Sequence, residues 1–337
     1  MPSYLKRLIL TLPVLTVLLP SAQADSISAI YAFGDSLSDV GNVYQATHGT
    51  EPGAPYVNGQ FSNGNVWVQD LATDLGLAKL TPSLLGGTDF AVGGAESGTT
   101  PLHTAVLGDL PSQLAAFQVL NPGGANPNGL YTIWIGSDDI RALVASNPSP
   151  AAAAADIAAV VGNIDKAIAS LAGDGAKNFL VVTVPDLGET PGAIASGPAA
   201  MAGASALSLD FDSLLVNGSA PIPSLGAIAA ADSLNLQVLD SYSLIDGIVG
   251  DPSEFGFTDT TQPCLTGAVN YAGGTPCANP NQYLFWDDIH PTAAGHTIIA
   301  DAALATIVPE PATLTLLGAG ALAVFVIRRR SQAVPKI

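Results

Sequence analysis

Three apolar runs, far apart in the chain, each stop dead at a glycine or proline and hand over at once to polar residues. Ile27 to Phe33 ends in Gly34-Asp35-Ser36-Leu37, Leu130 to Ile135 in Gly136-Ser137-Asp138-Asp139, and Phe179 to Val184 in Pro185-Asp186. Continuous apolar runs of this length suit strands buried on both faces, the condition inside a parallel sheet covered by helices. Thr88 to Val92, running into Gly93-Gly94, and Leu236 to Leu239 are two further strand candidates. Helical spacing marks the segments 66–75, 109–120, 150–172, 199–215, 242–249 and 292–307 between and after them. The alternation predicts one α/β domain built on a parallel sheet of about five strands, with helices on both sides. A dinucleotide-binding domain is excluded, because no Gly-x-Gly-x-x-Gly opens the first helix.

In a sheet of this kind the C-terminal strand ends share one edge, so residues distant in sequence converge there. The first strand delivers Ser36. The stretch Phe285-Trp-Asp-Asp-Ile-His-Pro-Thr292 supplies His290 with a carboxylate three residues before it. A serine hydroxyl is a poor nucleophile until a base takes its proton. His290 is placed to be that base, and a carboxylate can hold the other ring nitrogen. Asp287 suits that role by its spacing, with Asp288 second. Attack on a carbonyl creates an oxyanion, and the amides of Ser36 and Gly94 are candidate donors to it. Asp35 and Asp39 are expected to brace the serine loop through backbone amides. His48 and His103 lie in loops without acidic or cysteine partners at metal-ligand spacing, so no metal site is expected. His296 reads as a packed or capping side chain. Asn63 and Gly64 read equally as cleft wall or as a helix start.

The two ends carry different information. Lys6 and Arg7 precede the short apolar core Leu8 to Leu19, and Ala22-Gln-Ala24 is a small-x-small cleavage site. This is a secretory signal over 1–24, with Asp25 as the expected mature N-terminus. At the other end, Val308-Pro-Glu-Pro311 is followed by an apolar segment to Ile327 and then Arg328-Arg329-Arg330. A basic cluster after an apolar run fits a segment stopped in a membrane with its charged end in the cytoplasm. Between these ends, residues 25–308 hold four basic residues against 27 acidic ones, a formal charge of −23. Such a surface repels nucleic acid, and a nucleic-acid role is rejected. Cys264 and Cys277, close together in an exported chain, are expected to pair as a disulfide.

Gly34-Asp-Ser-Leu37 with Ser38-Asp39 and Gly41-Asn42 resembles the first block of the SGNH, or GDSL, hydrolases. Phe61-Ser-Asn-Gly64, Phe90-Ala-Val-Gly-Gly-Ala95, Trp134-Ile-Gly136, Val184-Pro-Asp-Leu-Gly188 and Asp287-Asp-Ile-His-Pro-Thr292 follow in the family's order, over essentially the whole of 25–308. The resemblance implies a three-layer α/β/α, flavodoxin-like domain that hydrolyses esters without a cofactor. By position it implies Ser36 as nucleophile, Asp287 as acid, His290 as base and Gly94 as the glycine oxyanion donor, Gly93 being the neighbouring choice. Ser38 excludes the serine elbow of the α/β-hydrolases, which needs glycine there. The tail, 309–337, resembles a PEP-CTERM sorting signal. That implies an exosortase-type protease as a partner and a place at the surface of, or outside, a Gram-negative cell.

One position departs from the family. Its third block reads Gly-x-Asn-Asp, and the asparagine donates to the oxyanion; this chain has Asp138 there. An ionised aspartate has no donor and repels the oxyanion, whereas a protonated one can donate. Losing such a donor costs about a hundred- to a thousandfold in turnover. Two functions are therefore carried forward. One is an exported serine esterase for acyl or acetyl esters, including those of acetylated polysaccharide. The other is a weakened family member that serves as a binding or matrix component.

Overall fold

The computed structural model describes residues 27–308 apart from 105 and 107. The expected secretory signal (1–24) and sorting segment (309–337) lie outside the described residues.

The chain runs β1 (Ala29–Gly34), α1 (Asn42–Ala46), α2 (Trp67–Asp74), α3 (Leu110–Leu120), β2 (Gly129–Trp134), α4 (Ser137–Ser146), α5 (Pro150–Gly173) and β3 (Asn178–Val182). There follow α6 (Pro191–Ser196), α7 (Pro198–Asn217), α8 (Leu225–Asp232), β4 (Asn235–Leu239), α9 (Ser241–Gly250), a small hairpin of β5 (Leu265–Thr266) and β6 (Thr275–Pro276), and α10 (Ala293–Ile307). The four long strands pair in parallel in the spatial order β1-β2-β3-β4.

Alternate side chains feed two cores. Phe33, Tyr131, Ile133, Phe179 and Val181 pack against α3, α5, α7 and α8, while Ile30, Ala32, Leu130, Trp134, Leu180 and Val182 face α2 and α10. This is the three-layer α/β/α arrangement. Each fully buried Phe or Leu in these layers contributes about 1.5–3 kcal/mol. Helix α5 shows how the sequence writes such a layer. Ser149 caps it by accepting from the Ala152 amide, Pro150 opens it, and Ile157, Val160, Val161, Ile164, Ile168 and Leu171 form its buried stripe.

Among the described residues the sheet holds four regular strands, against about five expected. The expected strand at 88–92 is reduced to a parallel bridge between Ala32 and Asp89. It still lies along β1: Ala32 donates to the Thr88 carbonyl (3.0 Å), Phe90 to Ala32 (2.7 Å) and Val92 to Gly34 (3.0 Å). Its regularity is lost because the backbone of Asp89 also bonds Thr81 and Ser83 on its far side, and its carboxylate takes the Val40 amide. Counting this segment, the spatial order is second, first, third, fourth, fifth, the flavodoxin-like order, whose switch point falls between β1 and β2.

Candidate active site

Ser36 follows β1 and the Ser137–Asp139 segment follows β2, so both stand at the switch point. Gly34 makes the turn possible, because a Cβ there would collide with the carbonyl oxygen of Trp134. The loop is braced by its own carboxylates, as the sequence suggests. Asp35 Oδ1 accepts from the Leu37 amide (2.9 Å), and Asp39 Oδ1 accepts from the Gly41 and Asn42 amides. Asn42 in turn donates to the Asp89 and Ala91 carbonyls, tying the loop to the neighbouring segment. Ser36 itself remains half-buried.

The histidine sits on a tight turn closed by two backbone bonds, Trp286 N to His290 O (2.7 Å) and Thr292 N to Leu284 O (2.8 Å). Asp287 Oδ1 accepts the amides of Ile289 and His290, which leaves Oδ2 for the ring. His290 Nδ1 lies 2.8 Å from Asp287 Oδ2, and His290 Nε2 lies 2.7 Å from Ser36 Oγ. With Nδ1 donating to the carboxylate, Nε2 accepts the serine proton. Burial alone would raise the Asp287 pKa, but the His290 charge and the converging donors outweigh it and hold the group at about 2. Asp288 is exposed, and it is Asp287 that the His290 ring bonds.

Tyr56 is part of this site and went unread in the sequence. Its hydroxyl donates to Asp287 Oδ2 at 2.6 Å. It comes from a Pro/Gly loop that backs onto the β5–β6 hairpin through Gly53 N to Tyr271 O (2.8 Å) and Gly273 N to Ala54 O (2.7 Å). Cys264 and Cys277 close that hairpin as a disulfide, and Leu265 N bonds Trp286 O (2.6 Å) immediately before Asp287. The rings of Phe61 and Tyr271 pack on His290 at 5.3 and 5.6 Å. Asn63 is a brace, not a cleft wall: its Oδ1 accepts the Ala293 amide (2.7 Å) at the start of α10.

On the opposite side of Ser36, the two glycines separate cleanly. The Gly93 amide is already given to Asp39 Oδ2 (2.9 Å). Gly94, exposed and at φ +78°, has an amide with no partner among the described residues, as does Ser36. Asp138 lies in the first turn of α4, with Oδ1 2.8 Å from Arg141 Nη1. Burial raises its pKa, against the opposing charges of Arg141 and His290. Asp35 is also pushed well up by burial and by the Asp138 charge.

Two other histidines resolve. His296 is fully buried, its pKa lowered to about 3 by burial, with Nδ1 facing the Trp67 amide at 3.4 Å. His103 has two acidic neighbours that the sequence did not point to, Asp109 Oδ2 at 2.7 Å and Glu96 Oε2 at 3.4 Å. Asp109 also accepts the Glu96 and Val106 amides, so the group braces the 96–109 loop. Six residues of sequence separate the pair, and only folding of that loop joins them.

Beside the histidine turn lies an open groove of about 790 Å³ bordered by Arg141, Ser196, Tyr271 and Asp288. A small chamber of about 30 Å³ lies against Ser36 and His290.

Fold and site together define an α/β/α carboxylic ester hydrolase. The chain belongs to the GDSL-like lipase/acylhydrolase family, whose profile matches residues 30–303, and a PEP-CTERM protein-sorting motif matches residues 308–330. A thermolabile hemolysin of Vibrio parahaemolyticus is 28% identical over 290 residues, covering 83% of this chain and 63% of that protein. This chain therefore spans less than two thirds of the hemolysin's length. A GDSL esterase/lipase of Arabidopsis thaliana is 29% identical over 326 residues, covering 82% and 88%. A phosphatidylcholine-sterol acyltransferase of Aeromonas hydrophila is 25% identical over 319 residues, covering 82% and 89%.

Proposed function

We propose that the protein is an exported serine esterase that cleaves acyl or acetyl esters through an acyl-enzyme. The observation that carries this reading is the unbroken series Ser36 Oγ, His290 Nε2, His290 Nδ1, Asp287 Oδ2, with steps of 2.7 and 2.8 Å. The Ser36 oxygen bonds to the ester carbonyl carbon while its proton passes to His290. Asp287 holds the resulting imidazolium. The free amides of Ser36 and Gly94 receive the oxyanion. Collapse breaks the bond to the alcohol, which leaves with the proton from His290; water then repeats the sequence and releases the acid.

Asp138 joins this oxyanion site as a donor only while protonated, and the upward shift that burial gives its pKa widens the pH range of that state. Export rests on the signal-like sequence over 1–24 and on the sorting motif, with an exosortase-type protease as the processing partner and the cell surface or exopolysaccharide as destination. A second reading, a weakened family member kept for binding, is favoured by the Asp138–Arg141 pairing alone.

The test uses purified residues 25–308 with p-nitrophenyl acetate. Turnover with a burst of p-nitrophenol, and its loss in Ser36→Ala, is the expected result. Absence of turnover in the wild type with turnover gained in Asp138→Asn would favour the second reading.

A further inference from the structure

The small chamber beside Ser36 and His290 gathers buried polar atoms that the protein itself does not satisfy. Asp35, Trp134 and Ser137 line it, and each is at most 4% exposed. Asp35 Oδ2, Trp134 Nε1 and Ser137 Oγ have no hydrogen-bond partner among the described residues. Buried polar atoms are almost always paired, with protein or with ordered water. Three other polar side chains of the wall are already engaged. Asp186 accepts from the Gly188 amide and the Ser205 hydroxyl, Thr190 donates to the Leu187 carbonyl, and Ser241 donates to that of Thr183. The chamber measures about 30 Å³, and about 10–15 Å³ on the same measure admits one water. Asp138 lines the same chamber, so both carboxyls nearest the serine border one small space.

We propose that the chamber is a site for about two water molecules, and that these waters join Asp35 to Asp138 so that the two carboxyls hold one proton between them. The link to catalysis rests on the serine-esterase reading above; the water site does not. A proton leaves Asp35 for the water as another leaves the water for Asp138, so the waters are unchanged and only the charge has moved. Two carboxylates at one small site repel each other, and the first proton taken up belongs to the pair. Burial and the Asp138 charge push the Asp35 pKa well up, with Arg141 opposing. The groups that act on Asp138 come from several elements: Arg141 and Asp139 on its own helix, His290 from the histidine turn, Asp109 and Glu96 from the 96–109 loop, and Tyr271 from the hairpin. Arg141 and His290 favour its anion, and the acids favour its protonated form. Of those acids, Asp35 alone shares the chamber with it. An oxyanion forming beside Ser36 draws the shared proton onto Asp138, which then donates, and leaves the negative charge on Asp35. Asp35 is thus a positioning residue that acts through Asp138.

The experiment has three arms on the 25–308 protein. A high-resolution crystal structure of the wild type should show ordered water within hydrogen-bond distance of Asp35 Oδ2 and of Trp134 Nε1 or Ser137 Oγ; a dry chamber overturns the site. Carboxyl-carbon NMR titration should show Asp35 and Asp138 sharing the same two steps, and Asp138→Asn should reduce Asp35 to one. Independent single steps in the wild type overturn the shared proton, and this readout needs no turnover. The third arm is the pH–rate profile on p-nitrophenyl acetate. Asp35→Asn keeps the acceptor for the Leu37 amide and removes the charge that holds the proton on Asp138. The pH at which kcat falls off on the alkaline side should therefore drop by about one unit or more. With Asp138→Asn already in place that fall-off is gone, and adding Asp35→Asn should leave the shape of the profile as it was. A midpoint unmoved by Asp35→Asn, or a profile reshaped equally in both backgrounds, overturns the action through Asp138. No turnover of any ester would instead overturn the serine-esterase reading, while the crystal structure and the titration would still decide the water site and the shared proton.

Discussion

The hydroxyl of Tyr56 and the ring of His290 share one oxygen: Asp287 Oδ2 takes a 2.6 Å bond from the first and a 2.8 Å bond from the second. Tyr56 thereby fixes where the carboxylate points without touching the serine. Burial and the Asp287 charge both push the phenol's own pKa up, so it stays a donor throughout the working range. Replacing it by phenylalanine removes a hydrogen bond to a charged group, worth about 1.5–3 kcal/mol. The expected outcome for Tyr56→Phe is kcat lowered roughly tenfold or more, with KM little changed. Steady-state kinetics on p-nitrophenyl acetate check this, and a rise in KM alone would assign Tyr56 to substrate binding instead.

Asp138 leads to a pH prediction. Its folded-state pKa is raised, so the donor is present at low pH and is lost as pH rises through that value. Asp138→Asn donates at every pH. The variant should outpace the wild type at pH 8, by up to about a hundredfold if the donor acts as such donors usually do. The gap should narrow toward pH 5. Parallel pH–rate profiles for the two proteins would show it, and superimposable profiles would remove Asp138 from the oxyanion site.

Stability should fall as the medium becomes alkaline. Burial lifts Asp39 to about 6, Asp139 to about 7 and Asp212 to about 8. A carboxyl raised above its unfolded value stabilises the fold fully below that unfolded value, and the contribution disappears as pH rises through the folded one. Tm is therefore expected to be higher at pH 5 than at pH 9. Asp212 offers the sharpest check. Its Oδ1 accepts the Val184 amide at 2.8 Å, while Oδ2 is buried without a partner among the described residues. Asp212→Asn keeps the acceptor and removes the charge, so it should raise Tm at pH 9 and leave it nearly unchanged at pH 5. Calorimetry at the two pH values decides, at roughly 2–4 °C per kcal/mol for a domain of this size.

The disulfide should matter to the site as well as to the fold. Closing the loop between Cys264 and Cys277 is worth about 3 kcal/mol on chain-entropy grounds. The hairpin it closes also carries Tyr271 against His290 and lines the groove. Cys264→Ser with Cys277→Ser should lower Tm and raise KM for a bulky ester more than for p-nitrophenyl acetate. Equal effects on both esters would confine the disulfide's role to stability.

Much of this site could be read before the fold was seen, because its chemistry is local in sequence. Ser36 ends an apolar run, and Asp287 lies three residues from His290, a spacing that a single turn satisfies. The long helices were equally legible, since α5 and α10 repeat their apolar positions over several turns. The parts that escaped depend on contacts between distant segments. Tyr56 lies 231 residues from the carboxylate it holds, in a loop whose composition suggests only a turn. Helix α4 starts directly from the end of β2, and its Gly-Ser-Asp-Asp opening resembles a strand-end loop. The choice between Gly93 and Gly94 rests on a carboxylate 54 residues away, and the irregular 88–92 segment is set by what bonds its outer edge.

That same carboxylate has a mechanical consequence. Asp39 grips the amides of its own loop with one oxygen and, with the other, the amide adjoining Gly94. The Ser36 loop and the Gly93–Gly94 turn are thus mounted on one buried bracket. Their separation is set when the chain folds. If Ser36 attacks and Gly94 receives the oxyanion as proposed, loops at the groove rim can change shape without altering the distance between the two.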